Sequence, residues 1–231
     1  MTPLELSGSS RRAFARLAAD LTRIFGDRLV ALVAYGPGSS VAFVRTLAAD
    51  DLDACATLAD AWRRDGLAAP LLMTPDEFRR SLDTFPLEYS AILDSHVVIA
   101  GHDPFAGVEI KREDLRRACE VQARGLLIHL RQGWLEAGGH AHRVEELVEH
   151  SAAPLRRLLT HVAALEGERA HDTAGLAAFA ARRLALPADL VAAVLALETA
   201  PERRREVVRR LSEYLAAAER LWSFVDAWRT P

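Results

Sequence analysis

Cysteine, lysine and long apolar runs are all scarce in this chain of 231 residues. The two cysteines, Cys55 and Cys119, lie 64 positions apart, and no Cys-x-x-Cys pair or Cys/His cluster occurs. The sequence therefore does not predict a structural zinc site. The longest uninterrupted apolar stretch, Leu190–Leu197, has eight residues, whereas a membrane-spanning helix needs about 20. We therefore expect no membrane span.

The basic residues are 28 arginines and one lysine, Lys111, and they are outnumbered by 32 acidic residues, which gives a net charge of −3. Acidic residues interleave with the arginine clusters, so the sequence predicts no basic stripe for nucleic acid. Residues 1–12 lack the apolar core of a signal peptide. With two reduced thiols as the default, this predicts a cytoplasmic protein.

Half of the residues are apolar, which is enough to build a core and excludes intrinsic disorder. From Met1 to Phe105, short apolar runs alternate with helical patterns, which predicts an α+β domain. Strands are expected at residues 28–35, 41–47, 69–73 and 96–100, and helices at residues 9–25 and 50–65. Residues 85–93 fit either a strand or a helix.

Local signals define several ends of these elements. Ser9 or Ser10 is expected to cap the first helix. Thr74 and Glu77 form the pattern of a capping box, with Pro75 at the first helical position.

From Ala106 to Pro231 the apolar residues recur at helical spacing, which predicts an all-α helical bundle. The expected helices cover residues 111–137, 143–166, 173–185, 188–198 and 202–228. A domain boundary is therefore predicted after Phe105. Trp222, Phe224, Val225 and Trp228 are expected to lie mostly in the bundle core, and part of this apolar segment is a candidate homodimer interface.

A strand, a glycine-serine turn, a second strand, a helix and a third strand follow one another as VALVAY, GPGSS, VAFVRTL, a helix and APLLM. This order resembles the nucleotidyltransferase fold of the DNA-polymerase-beta superfamily, in its small bacterial form with a helical bundle. Residues 71–137 are also similar to uncharacterised bacterial proteins described as nucleotidyltransferase-like. The resemblance implies a mixed sheet with helices. It also implies that Gly36, Gly38, Ser39 and Ser40 form a nucleotide-binding turn.

In that family an Asp-x-Asp pair on the strand after the turn holds two Mg²⁺ ions, and a third carboxylate completes the site. Here Val41 and Ala42 occupy the early positions of that strand, and Pro37 removes a backbone donor from the turn. Glu88 is the candidate for the third carboxylate. This reading predicts a catalytically degenerate protein with a binding or interaction role and no metal.

A second register places Asp51 and Asp53 at the metal pair, on a strand reading DLDACATL. It predicts an active, Mg²⁺-dependent nucleotidyltransferase that uses Asp51, Asp53 and Glu88. The degenerate register is favoured because residues 50–65 read as an amphipathic helix with acidic residues in its first turn.

The bundle offers a further alternative, a ribonuclease or toxin–antitoxin component with an Arg-x₄₋₆-His motif. Three pairs fit this spacing: Arg124 with His129, Arg156 with His161, and Arg143 with His150. Three matches in one arginine-rich region indicate that this spacing arises by chance. His140 and His142 supply two imidazoles, which are too few for a metal site.

Overall fold

The computed structural model describes residues 4–36 and 38–229. In these residues the chain forms eleven α-helices and one four-stranded mixed sheet, so it is α+β. It divides into two compact units, with the boundary between Ile110 and Lys111. The sequence places this boundary five residues earlier, but Phe105, Val108 and Ile110 pack into the core of the first unit.

The first unit contains every strand and five of the helices. In chain order the elements are α1 (Gly8–Phe25), a 3₁₀ turn (Gly26–Arg28), β1 (Leu29–Tyr35), β2 (Ser39–Val44), α2 (Ala49–Ala56), α3 (Ala59–Arg64), β3 (Leu71–Met73), α4 (Pro75–Arg80), α5 (Pro86–Asp94) and β4 (Val97–Gly101). The strands lie in the order β3-β2-β1-β4. Strand β1 is antiparallel to β2 and β4, and β2 is parallel to β3.

Both faces of the sheet are covered. Leu32, Ala34, Ala42 and Val44 face a cluster made with α1, α2 and α3. Alternate residues of the same strands face a second cluster made with α4, α5 and residues 105–110. Because side chains alternate along a strand, a run that is apolar at every position suits a sheet buried on both sides.

Several predicted ends of elements in this unit were wrong. Ser7, and not Ser9 or Ser10, caps α1, since its hydroxyl accepts from the Ser10 amide at 3.1 Å. The expected helix at residues 50–65 is two helices, because Leu58 N–H donates to the Cys55 carbonyl three residues back and tightens the chain there. Residues 86–94 are helical.

The capping box at α4 is confirmed. The Thr74 amide donates to Glu77 Oε2 at 2.6 Å, and the Glu77 amide donates to Thr74 Oγ1 at 3.1 Å. These bonds satisfy two amides that the helix leaves without a partner, and they also lower the pKa of the Glu77 carboxyl.

The second unit is a helical bundle. Its elements are α6 (Arg112–Ala137), α7 (Ala141–Leu165), α8 (Thr173–Leu184), α9 (Ala188–Ala196), a 3₁₀ turn (Pro201–Arg203), α10 (Arg204–Val208) and α11 (Leu211–Ala227). The single helix expected at residues 202–228 is therefore divided, because the Arg210 amide donates to the Val207 carbonyl three residues back. No described helix is both long and apolar enough to cross a bilayer.

Helix α7 is the centre of the bundle and packs against α6, α8, α9 and α10. The Tyr214 side chain of α11 is fully buried, and its hydroxyl donates to Ser151 Oγ on α7 at 2.9 Å. Val225 and Trp228 are buried as expected, and the Trp228 indole donates to Glu166 at 2.6 Å. These two residues thus lie in the bundle core, whereas Trp222 and Phe224 are half-buried. A homodimer interface in this segment stays a prediction.

Candidate functional site

The glycine turn after β1 is seated against the chain that leads into β3. Gly36 and Gly38 both have positive φ, at 64° and 72°. A Cβ added to Gly38 would lie less than 3.0 Å from the Gly66 carbonyl oxygen, whereas one added to Gly36 would meet nothing within 4 Å. The Gly38 carbonyl accepts from the Ala68 amide at 2.9 Å. Gly38 is thus explained by a close approach of two backbone segments.

The two serines that follow lie in β2, paired with β1. Ser39 lies opposite Tyr35, and Ser40 lies opposite Ala34. Ser40 is 1% exposed, and its hydroxyl finds no hydrogen-bond partner among the described residues. By strand alternation it shares the α1-facing side of the sheet with Ala42. Its hydroxyl therefore points toward a core, and not toward solvent.

This turn differs from a phosphate cradle at a helix N-terminus. Such a cradle depends on free amides at the start of a helix, but here the turn joins two paired strands, and the next helix begins at Ala49. Pro37, predicted to remove a donor, lies outside the described residues. Nucleotide binding by Gly36, Gly38, Ser39 and Ser40 stays a prediction.

Strand β2 carries no carboxylate. Val41 and Ala42, at the early positions of the strand, are 2% and 0% exposed, and they face opposite sides of the sheet. Among the described residues no three His, Cys, Asp or Glu side chains are grouped so that they could hold a metal ion. Protein sites for a divalent cation such as Mg²⁺ are built around carboxylates, and β2 supplies none.

The second register is corrected by α2. The strand expected for DLDACATL is absent from the described structure, and Asp51 and Asp53 lie on a helix of eight residues. Residues i and i+2 of an α-helix lie about 200° apart around its axis, so the carboxylates of Asp51 and Asp53 point away from each other. The Asp-x-Asp geometry of a strand is therefore lost.

Asp51 has a structural partner. Both of its oxygens accept from the Arg28 guanidinium, each at 2.7 Å, and Oδ2 also accepts from the Ala48 amide at 3.0 Å. The Arg28 hydrogen bonds, followed by the one from Ala48, lower the pKa of Asp51 to about 2. Asp53 is exposed. Asp51 thus stabilises the start of α2, whereas Asp53 is a solvated surface side chain.

Glu88 lies in the first turn of α5 and is exposed. Helix α5 packs through Tyr89 and Ile92 on one face of the sheet, whereas α2 packs through Cys55 on the other. Asp51, Asp53 and Glu88 therefore belong to helices on opposite faces, and the structure does not bring them together.

The arginines of the three arginine–histidine pairs each contact another group of the bundle. Arg124 lies over the Trp222 ring at 5.4 Å, and His129 is exposed. Arg143 donates to the Glu136 carbonyl at 3.4 Å. His142 contacts Glu146 at 3.2 Å on the surface of α7.

Arg156 connects three parts of the bundle. It donates to Glu198, to Thr173 Oγ1 at 2.9 Å, and to the Leu195 carbonyl at 3.1 Å. It also reaches the His171 carbonyl at 3.3 Å. These bonds tie α7 to α8 and α9, which gives Arg156 a structural role.

Two features of the structure were not predicted from the sequence. One is an open cleft on the first unit, lined by Met73, Glu77, Arg80, Ser81 and Tyr89. The other is a row of exposed apolar side chains on α6, namely Val121, Ile128 and Leu135. Their seven-residue spacing in the sequence was a usable signal for the second feature, whereas no local pattern marks the first.

In comparisons with known proteins, no family model, no curated protein and no solved structure matches the chain.

Proposed function

We propose that the chain is a catalytically degenerate protein of nucleotidyltransferase-like fold, whose role is binding or interaction. Support for the fold comes from the order of elements: a helix, a strand, a glycine turn, an antiparallel strand, helices, and a strand parallel to the second. From the first strand onward, the succession strand, glycine turn, strand, helix, strand is the one that the sequence resemblance implies.

One observation carries the degenerate assignment, namely the burial of Val41 and Ala42 at the start of β2. In-line nucleotidyl transfer with two metal ions requires carboxylates that clamp the ions at the reacting oxygens. Apolar side chains at these positions provide neither charge nor oxygen ligands. The nearby acidic residues do not replace them, because Asp51 is engaged with Arg28, and Glu88 lies on a helix across the sheet.

Neither rival function has an observation in its favour. The active transferase needs Asp51, Asp53 and Glu88 to converge, and their helices pack on opposite faces of the sheet. The ribonuclease alternative needs an arginine and a histidine to act together, whereas Arg124 stacks on Trp222, and Arg156 braces the bundle.

Calorimetric titration with each nucleoside triphosphate, with and without Mg²⁺, tests this proposal. We expect no heat that depends on Mg²⁺. Binding that is equal with and without the metal would identify a non-catalytic nucleotide sensor, which fits the proposed binding role.

Mg²⁺-dependent binding that is lost in Glu88→Gln or Asp53→Asn would overturn the proposal. Both side chains are exposed, so these substitutions should leave the fold intact. Asp51→Asn is unsuitable as a probe of metal binding, because it also breaks the contact with Arg28.

A further inference from the structure

Helix α6 has two apolar faces on opposite sides of its axis. The inward face is buried in the second unit, where α6 packs against α7 and α11; it consists of Cys119, Ala123, Leu126, Leu127 and Leu130. At 100° per residue, Val121, Ile128 and Leu135 lie on the opposite side. They are 72%, 50% and 83% exposed. We call these three residues the α6 stripe.

The α6 stripe has the spacing of a coiled-coil seam. Its members recur every seven residues and span about 21 Å at 1.5 Å per residue. A strict heptad keeps one seam of a helix facing a partner helix. Between them along the same face lie Ala118, Gly125 and Gln132, again seven apart. The face thus contains two heptad positions: an apolar one, occupied by the α6 stripe, and a second one occupied by small or polar residues.

Charge divides the two flanks of this face. One flank carries Arg117, Arg124 and Arg131, all exposed. The other carries Gln122, His129 and Glu136. Within the chain, Arg124 lies over Trp222 and Arg131 donates to Glu219 at 3.2 Å, both on α11, while Arg117 donates to Asp114 of α6 itself. Arg131 and Glu219 are each more than half exposed, so their contact can exchange for one with another chain. One flank is therefore basic, and the other ends in an acidic side chain.

This asymmetry selects the orientation of a second copy. In a parallel pair of helices, one flank of the first copy faces the opposite flank of the second, so Arg131 faces Glu136 five residues further along the other chain. In an antiparallel pair, like flanks meet, and the arginine row would face itself. Like charges that face each other are repelled. Gln132 donates to Glu136 of its own helix at 2.7 Å on the exposed surface. In the parallel pair it would instead face its own copy, where two amides can hydrogen-bond and define the register, as a single polar seam residue does, and Glu136 would accept from Arg131 of the other chain.

We propose that the α6 stripe is the seam of a parallel, in-register homodimer of this chain. The partner is a second copy because the two flanks are complementary to each other, and because each seam residue then meets its own counterpart. Gly125 and Ala118 permit close approach of the two helices. The seam is only about two heptads long, so the dimer forms in the micromolar range and not at nanomolar concentration.

Sedimentation equilibrium of the full chain from 5 to 200 µM tests the association. We expect a concentration-dependent dimer, and Ile128→Glu should raise its dissociation constant at least about 100-fold, because it places two facing charges in a desolvated seam. Leu52→Glu is the matched control, since Leu52 is 48% exposed against 50% for Ile128 but lies in the first unit. A wild-type chain that is monomeric at 200 µM overturns the proposal, as does a Leu52→Glu variant that dissociates equally.

Disulfide cross-linking tests the orientation. Native Cys55 and Cys119 are buried, so the wild-type chain should not cross-link and serves as the negative control. In the parallel dimer Val121→Cys meets its own copy and cross-links with itself, as does Leu135→Cys. His142→Cys, exposed on α7, should not cross-link. Cross-linking only in a mixture of the Val121→Cys and Leu135→Cys chains would show an antiparallel pair and overturn the proposal.

Discussion

Comparing Gly38→Ala with Gly36→Ala distinguishes two explanations for the glycine turn, close packing of the backbone and binding of a phosphate. Both glycines have positive φ, so both substitutions impose the same backbone penalty. Only Gly38 also approaches another backbone segment, at the Gly66 carbonyl. The difference between the two variants therefore isolates that close approach.

The magnitude follows from the geometry. An alanine forced into the left-handed region costs about 1–2 kcal/mol, partly offset by the lower entropy of its unfolded chain, so we expect about 1 kcal/mol for Gly36→Ala. At Gly38 the new methyl group must also push Gly66 away. That shift stretches the bond from the Ala68 amide to the Gly38 carbonyl, worth about 1 kcal/mol, and it strains the local packing by about 1 kcal/mol or more. We expect about 3 kcal/mol in total.

Native-state hydrogen exchange of the β1 and β2 amides is the appropriate assay, because the chain has two compact units and one global unfolding curve would combine them. Protection in these strands should fall by about 3 kcal/mol in Gly38→Ala and by about 1 kcal/mol in Gly36→Ala. Equal losses in the two variants would refute the argument from close approach. A Gly38→Ala chain of unchanged stability that has lost nucleotide binding would instead identify the turn as a phosphate cradle.

Three further predictions concern single side chains. Ser40→Ala should leave stability unchanged or raise it by up to about 1 kcal/mol, because it removes a buried hydroxyl that has no partner among the described residues; a loss of more than about 1 kcal/mol in hydrogen-exchange protection of the β1 and β2 amides would contradict this. The depressed pKa of Asp51, about 2, means that its pairing with Arg28 contributes stability above its ordinary pKa of 3.8, and that this contribution is lost as the pH falls through 2. Asp51→Asn should therefore flatten the dependence of stability on pH between 4 and 2, and an unchanged acid limb would refute the pairing. Arg156→Ala should destabilise the second unit by about 1–3 kcal/mol, because the Leu195 carbonyl and its other acceptors lose their donor; its exposed neighbour Arg157, changed to alanine, is the control and should stay within about 0.5 kcal/mol.

The sequence predicted the elements whose signals are local. The capping box at Thr74 was found because its two side chains bond within one helical turn. Strand β1 was found because a short run that is apolar and β-branched suits a sheet buried on both faces. The long helix α6 was found within one residue of its observed start, since its periodicity extends over seven turns.

The remaining features depend on contacts between distant positions. Arg28 and Asp51 are 23 residues apart, and no pattern in either segment indicates that they pair. The burial of the Ser40 hydroxyl follows from the register of β2 against β1, which the sequence does not fix. The division of residues 50–65 into two helices follows from one tightened turn at Leu58, which apolar periodicity does not reveal.

Water-proton relaxation in a solution of the Mn²⁺–ATP complex, titrated with the protein, tests the central claim most directly. Mn²⁺ has the oxygen-ligand preference of Mg²⁺, and relaxation is enhanced when a protein immobilises the ion. Because β2 offers the buried apolar residues Val41 and Ala42 where the proposed nucleotidyltransferase-like fold would need its metal carboxylates, we predict relaxation that stays at the value of Mn²⁺–ATP alone. A saturable enhancement that disappears in Glu88→Gln or Asp53→Asn would contradict the account and would establish a metal-dependent nucleotide site.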